Sequence, residues 1–573
     1  MREYTSSKRY FIIAGVILLG VFLRFSDSPP SSLWTDEFAT YWIAAAPDIS
    51  ECIERAAPTQ GQSPFYYILE WSVLQCVQHN EFSVRLISLG ASLISIYLMY
   101  ILGILLFEGR CLDGSRGEES DGSESISYSG FYSAIFAALL FAVNESSIYY
   151  AQEARPYALA VMFALLSQIF FLKLLREFSG GRLLGYTLFS SLICYTHYIF
   201  GTLLLFQNIW MLYLFLRNIR RDIRGTVFFK DKSVSESIFS LFRELRCGGF
   251  SLFRWIIVQC LLIFTLIPLV FHLMPILADS GKWNWLNRGG FSEMLLIVGQ
   301  MVDVKFIFFS VSLFIFLLTM KNLNQFRKVA PVVKAPSSSC YSRICDIRNI
   351  HILIFLGVWL IIPPLFAYFT TEFLHSSLLA KRYMILLYIP LFLSGGWCVY
   401  VLKSEIAKKL FIALILIFYS INVLIPNFLS EAHFSRRIQH DWRGALKYVK
   451  SNIKPDDSII LRSGFIKEDW LPERKNLIIK EYVQAPLRSF YFKDAKFAEI
   501  YNLTFSPSRD FLEYYQNLSD KLADTERIWI IGVSKPNNFP ITHIPELFHG
   551  THRIEFEKEF SGVFVTLLTK SVK

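Results

Sequence analysis

Charge is scarce in this chain. Asp, Glu, Lys and Arg make up 18% of its 573 residues against 53% hydrophobic and 16% aromatic, with 53 Phe and a mean hydropathy of +0.39, far to the apolar side of soluble domains. That excludes an ordinary soluble globular protein and defines a polytopic membrane protein. The nine cysteines are scattered, with no CxxC pair and no His-rich partner segment; Cys340 and Cys345 are the only close pair, and their spacing is not diagnostic. A structural zinc of the finger type is thereby removed. No cysteine follows Cys398, so a soluble C-terminal part is not stapled by internal disulfides. A long basic face is missing as well. The net charge of +10 sits in short segments between apolar runs, a pattern of membrane topology and not of nucleic-acid binding. Residues 10–23, an apolar run behind Arg2, Lys8 and Arg9, are followed by Arg24-Phe25-Ser26-Asp27 and by no small-residue cleavage site; they read as an uncleaved anchor.

A helical span needs about 20 apolar residues. Eleven segments are expected to cross: 10–25, 84–107, 128–148, 157–176, 183–200, 201–216, 251–277, 293–319, 351–371, 383–402 and 410–428, with 183–216 forming two short helices that turn at Thr196-His197-Tyr198. Segment 64–79 is short and carries Glu70 and two Gln, so it is expected to lie in the interface. With the N-terminus inside, residues 217–254 (nine Lys/Arg against four Asp/Glu) and 321–350 (six against one) fall on the cytoplasmic side, as the positive-inside rule asks. The acidic, Gly/Ser-rich loop 108–127 also falls inside and reads as a flexible insertion.

This topology sorts the polar clusters. Asp36-Glu37, Gln152-Glu153-Ala154-Arg155, His197-Tyr198, Trp283-Asn284-Trp285 and Lys381-Arg382-Tyr383 all end on the extracytoplasmic face. From residue 430 the composition changes. HDWRGALKYVKSNIKPDDSIILR reads as helix, turn and buried strand; NLIIKEYV, RIWIIGV and GVFVTLL read as strands, and FLEYYQNLSDKLADTE as a helix. The expected organisation is a transmembrane domain over 1–429 and a small extracytoplasmic α/β domain over 430–573, in a multi-pass protein of the inner or plasma membrane.

Group transfer from a lipid-linked donor suits such a face: it needs a carboxylate to take the acceptor's proton and cations or a metal to hold the departing phosphate. Asp36 or Glu37 is the candidate base, and Arg155, Lys381 and Arg382 are candidate phosphate holders. Each has a plainer reading. The acid pair also fits a solvated loop start whose adjacent side chains diverge on an extended chain, Glu153 and Arg155 a helix-start acid with a local partner, and Lys381 and Arg382 snorkelling cations. His197 fits a metal ligand, a hydrogen bond to donor, or a locally satisfied turn residue; Trp283 and Trp285 fit the interfacial belt.

The strings LWTDEF, GQSPFYYILEWSVLQ, EFSVRLIS, YYAQEARPYAL, THYIF, KRYMILLYIP and HDWRGALKYVKSNIKPDD, in that order, resemble the successive blocks of bacterial membrane glycosyltransferases of the GT-C fold. The branch is the one related to the dolichyl-phosphate-mannose protein mannosyltransferases and the lipid A aminoarabinose transferases. The resemblance implies a GT-C-type helical membrane domain with an extracytoplasmic α/β domain, a polyprenyl-phosphate sugar donor, and inverting transfer to a protein, lipid or glycan acceptor. It implies that Asp36, with Glu37 beside it, is catalytic, as general base or as ligand of a divalent metal. Gln152, Glu153, Arg155 and Tyr157 would line the cavity, with His197, Tyr198, Lys381 and Tyr383 as further donor or acceptor contacts, and Arg382 would be a cation near the donor phosphate. One block departs from the pattern: relatives often carry His-Pro-Pro where this chain has Gln62-Ser63-Pro64. The rival class is a multi-pass transporter or lipid flippase, which tends to place ionisable groups or broken helices near mid-membrane between repeats; here no repeat is evident and the acids gather at one rim.

Overall fold

The computed structural model describes residues 6–26, 32–60, 62–108, 127–225, 246–247, 250–278, 290–302, 304–326, 347–374, 378–402, 404–429, 440–462, 487–493, 495–497, 499–502, 511–533, 545–546, 548 and 550–571. Two compact units are built from interleaved stretches: Met1–Arg24, Ser88–Ala151 and Pro156–Asn427 form the first, and Phe25–Ile87, Gln152–Arg155 and Phe428–Lys573 the second. The composition change at residue 430 thus marks only the last of the second unit's three stretches.

The first unit is helical and membrane-spanning. Among the described residues, seven straight helices are long and apolar enough to cross a bilayer, and two bent pairs bring the total to nine. The two remaining expected spans are present as helices. These are α1 (Ser6–Phe25), which carries Lys8, Arg9 and Arg24, and α9 (Gly180–Thr196), only 17 residues long. α9 starts at Ser179, whose hydroxyl caps the Arg182 N–H, and stops at His197; a short 3-10 turn, Tyr198–Gly201, leads into α10 (Thr202–Gly225). The expected turn at residues 196–198 is therefore present.

One bent pair joins α6 (Tyr128–Val143) to α7 (Glu145–Ala151) at an angle of 59°. A break inside a membrane frees backbone groups that must find partners within the protein. Tyr419 supplies two: its hydroxyl accepts from the Glu145 N–H at 2.9 Å and donates to the Val143 carbonyl at 3.2 Å. Asn144 accepts from the Ser147 N–H at 2.9 Å, and Arg24 donates to the Ala142 carbonyl at 2.9 Å and to Ser92 at 2.8 Å. The kink is built into the chain, and it leads directly to the Gln152–Arg155 stretch.

The second unit combines the first extramembrane segment with the C-terminal domain. Here α2 (Thr35–Ala44), α3 (Ile49–Gln60) and α4 (Phe65–Leu74) pack on one another. At ten residues, α4 is about 15 Å long, half a bilayer core, in keeping with a segment that does not cross. The sheet is mixed and five-stranded: β3 (Ser458–Arg462), β4 (Glu499–Asn502), β5 (Arg527–Val533), β6 (His552–Phe560) and β7 (Val563–Lys570) follow a two-residue ribbon of β1 (Arg246–Cys247) and β2 (Phe250–Ser251) in the first unit, and lie in the order β4-β3-β5-β7-β6. β3 pairs parallel with β4 and β5, and β7 pairs antiparallel with β5 and β6. β5 is central, so its residues bury on both faces: Ile528 and Ile530 join Leu518 and Leu522 of the helix Phe511–Leu522, while Trp529 turns to the other face and donates to Asp457 at 2.8 Å. The hairpin β6–β7 turns on Ser561 (φ 39°) and Gly562 (φ 81°), the pair of positive φ angles that a tight two-residue hairpin requires. Within this unit the helix Trp442–Asn452 brings Trp442 edge-on to Phe38 (5.6 Å between centroids), and Arg443 bonds Glu81 at 2.9 Å. The NLIIKEYV segment lies outside the described residues.

Candidate functional site

The acid pair stands in the first turn of α2, not on an extended loop. Successive helical residues are about 100° apart, so the two carboxylates face different surroundings. Glu37 is fully buried and surrounded by donors. Arg85 grips it with both arms of its guanidinium (Nε to Oε1 2.9 Å, Nη2 to Oε2 2.7 Å), the Ala154 N–H reaches Oε1 at 2.8 Å, and the Trp34 N–H reaches Oε2 at 3.3 Å. The Trp34 bond is the half of a capping box in which an N3 acid bonds back to the cap. A planar fork on a carboxylate is the strongest of the protein ion-pair geometries.

Asp36 has a different environment. Its side chain is partly exposed, and its Oδ2 lies 3.8 Å from Nη2 of Arg155. The Gln152–Arg155 stretch thus meets both acids, through the Ala154 amide for Glu37 and the Arg155 guanidinium for Asp36. Gln152, Glu153 and Arg155 are all buried, and a tight turn bonds the Arg155 N–H to the Glu153 carbonyl at 2.7 Å. Pro156, which has no N–H to lose, then begins α8 (Tyr157–Arg176).

Behind α2 lies Glu70 on α4. It is completely buried, and the Tyr66 hydroxyl donates to its Oε1 at 2.8 Å. Burial, with the Glu37 charge as a smaller contribution, pushes its carboxyl well above the usual 4.5, while the Tyr66 bond pulls the other way. On the same helices Tyr41 bonds Nδ1 of His79 at 2.8 Å, and Nε2 of His79 meets the Leu74 carbonyl at 3.1 Å. A carbonyl only accepts, so Nε2 carries the proton and Tyr41 donates to Nδ1.

The remaining sequence-predicted residues belong to the first unit. Tyr157 opens α8, and its ring packs near His197 (6.2 Å) and Phe200 (6.5 Å); His197 packs near Tyr383 (5.2 Å). Arg382 sits over the Tyr383 ring at 5.3 Å in the 3-10 segment Lys381–Leu387. Lys381 is exposed and Tyr198 half-buried. Trp283-Asn284-Trp285 lies outside the described residues. Sequence reasoning missed Arg85 and the position of Glu70. An arginine at the start of an apolar helix, in EFSVRLIS, is itself a signal, because a cation there has to find an anion.

As for a metal, the described residues contain no cluster of three or more His, Cys, Asp or Glu side chains placed to hold one. Asp36 faces a guanidinium, and the oxygens of Glu37 are taken by four donors. As placed here, Asp36 and Glu37 do not form a cation-binding set.

Apolar spanning helices together with an α/β sheet unit define a multi-pass helical membrane protein. The chain is similar in fold to ArnT from Cupriavidus metallidurans in its crystal structure bound to undecaprenyl phosphate: the match covers 98% of each chain at a TM-score of 0.50 and 10% identity. The apo crystal structure of that protein aligns over the same shares at 0.34 and 9% identity. No protein-family model and no curated protein sequence matches the chain.

Proposed function

We propose that this protein is a membrane glycosyltransferase that moves a sugar from a polyprenyl-phosphate carrier to an acceptor on the extracytoplasmic face. The observation that carries the reading is the division of labour between Asp36 and Glu37. One carboxylate is consumed by Arg85 and two backbone amides, and its neighbour is kept partly exposed beside a second guanidinium. The fold likeness to a protein crystallised with undecaprenyl phosphate supports the donor class, and the basic loops 217–254 and 321–350 support the side.

In this reading the acceptor hydroxyl attacks the anomeric carbon and its proton passes to Asp36. The bond from that carbon to the carrier phosphate oxygen breaks with its electron pair staying on the phosphate. Arg155 orients Asp36 in the free enzyme and is a cation on which the growing phosphate charge can rest. Donor, acceptor and Asp36 act in a single displacement, with no covalent sugar–enzyme intermediate.

The test has two arms. Deleting the protein should cause a lipid-linked sugar to accumulate, identified by intact-mass analysis of the lipid fraction. Asp36→Asn conserves volume and removes the base, so it should abolish transfer from a synthetic polyprenyl-phosphate sugar while the protein still inserts and folds. Near-normal turnover by a well-expressed Asp36→Asn protein would refute the assignment.

A further inference from the structure

Glu70 has no part in the reaction as written, yet its placement is costly. The carboxyl is completely buried on α4, one oxygen accepts from Tyr66 at 2.8 Å, and the other, also buried, has no hydrogen-bond partner among the described residues. Burying an ionised carboxylate without a cation costs several kcal/mol or more. The elements packed against α4 carry Asp36, Glu37 and Tyr41 on α2, Glu51, Cys52, Glu54 and Arg55 on α3, and Arg85 in the turn Ser83–Arg85. Of these, Glu37 acts on Glu70 as a like charge. Glu37 is fixed as the anion by Arg85 and the two amides. Two carboxylates in one dry site do not both ionise, so the proton resides on Glu70.

We propose that Glu70 is a positioning residue of the transfer site, one that lets Glu37 hold the Ala154 amide and the Arg85 fork only while Glu70 carries its proton. The assignment rests on the glycosyltransferase reading for its link to activity, and on the second unit's geometry alone for the clamp. Ionisation would set a second negative charge against Glu37 with no cation of its own. Glu37 would then lose its fixed position, the Ala154 amide its acceptor, and Arg155, the next residue, its hold beside Asp36.

The sign of the pH effect follows. A carboxyl whose folded value lies above the ordinary 4.5 contributes stability that is fully present below 4.5 and is lost as pH rises through the folded value. The clamp should therefore weaken on the alkaline side. Glu70→Gln keeps a neutral acceptor for Tyr66 and cannot ionise. Tyr66→Phe removes the one bond that favours the charged form, so it should move the transition to higher pH.

The experiment is hydrogen exchange at the Ala154 amide in the full-length purified protein from pH 5 to 9.5, corrected for intrinsic base catalysis, alongside the pH profile of kcat with a synthetic donor. Wild-type protein should lose Ala154 protection and kcat together on the alkaline side, Glu70→Gln should lose neither, and Tyr66→Phe should lose both later. The same alkaline loss in Glu70→Gln as in wild type would overturn the proposal, as would a Tyr66→Phe transition shifted to lower pH. Ala154 exchange of the expected form in a protein that transfers no sugar would uphold the clamp and remove the glycosyltransferase reading, which separates the two.

Discussion

Replacing Glu37 by Gln is the substitution whose cost the structure specifies best. The carboxylate and the Arg85 side chain are buried to 0% and 3% exposure, so little solvent screens the pair and little water replaces a lost partner. Gln offers one acceptor where Glu offered two charged ones, and it turns an NH2 toward either Arg85 or the Ala154 amide. Stranding a buried guanidinium in this way costs about 3–5 kcal/mol. Leaving the Ala154 N–H without its acceptor costs about 1–3 kcal/mol taken alone, and the two overlap because they share one group. A net loss of about 3–5 kcal/mol is expected, a large share of the 5–15 kcal/mol typical of a folded protein. Denaturant unfolding in detergent, followed by tryptophan fluorescence, measures it. A control makes the reasoning specific: Glu37→Met combined with Arg85→Met removes both charges and should recover most of the stability, but not the protection of the Ala154 amide. A Glu37→Gln protein within about 0.5 kcal/mol of wild type, the range of an inconsequential surface change, would refute the account.

Three further outcomes are expected. Asp36→Asn should cost about 1–3 kcal/mol of stability, less than Glu37→Gln, because its pair with Arg155 is largely buried (12% and 3% exposed) but long at 3.8 Å; the same denaturant titration checks it beside the loss of transfer. Arg382→Lys keeps the charge but loses the planar fork over Tyr383, and should slow transfer by about 1–3 kcal/mol if one charge-assisted bond to donor phosphate is lost; wild-type rates and donor affinity would leave Arg382 an interfacial anchor. Single cysteines at Ser235, Asn324 and Asn517 should label from the cytoplasm for the first two and from outside for the third; labelling of position 517 only from the cytoplasm would invert the proposed topology.

The membrane helices were readable because their signal is local. Runs of about 20 apolar residues, the helix start after Arg155 and the turn at residues 196–198 are each read from a contiguous stretch of chain. The same holds for β3, β5 and β7, whose hydrophobic runs are buried on the sheet. β6 carried a readable alternation, Ile554, Phe556 and Phe560 between charged residues, but its exposure and its irregular register between Ile554 and Phe556 mark it as an edge, and edges have the weaker apolar pattern. α3, with the sequence ISECIERAAPTQ and Pro58 in its last turn, gave no apolar run to find. The site was legible as composition and not as geometry. The strings containing Asp36, Arg155 and Arg382 stood out, but Glu37 meets Arg85 across 48 positions and Ala154 across 117, separations that no periodicity encodes.

That long-range clamp changes what the adjacent acids mean. On an extended loop two neighbours point to opposite sides, and either is an equal candidate for the base. In the first turn of α2 they sit about 100° apart, close enough for one four-residue stretch to meet both. The stretch does so with different chemistry: the Ala154 backbone amide fixes the buried acid, and the Arg155 guanidinium faces the less buried one. In the proposed reading, stability is placed on Glu37 and Arg85, and reactivity on Asp36 and Arg155. The two are joined by the single peptide link between Ala154 and Arg155, so a change that loosens the buried acid reaches the reactive one without touching it. Position 37 is accordingly a poor place to look for a base and a sensitive place from which to disable one.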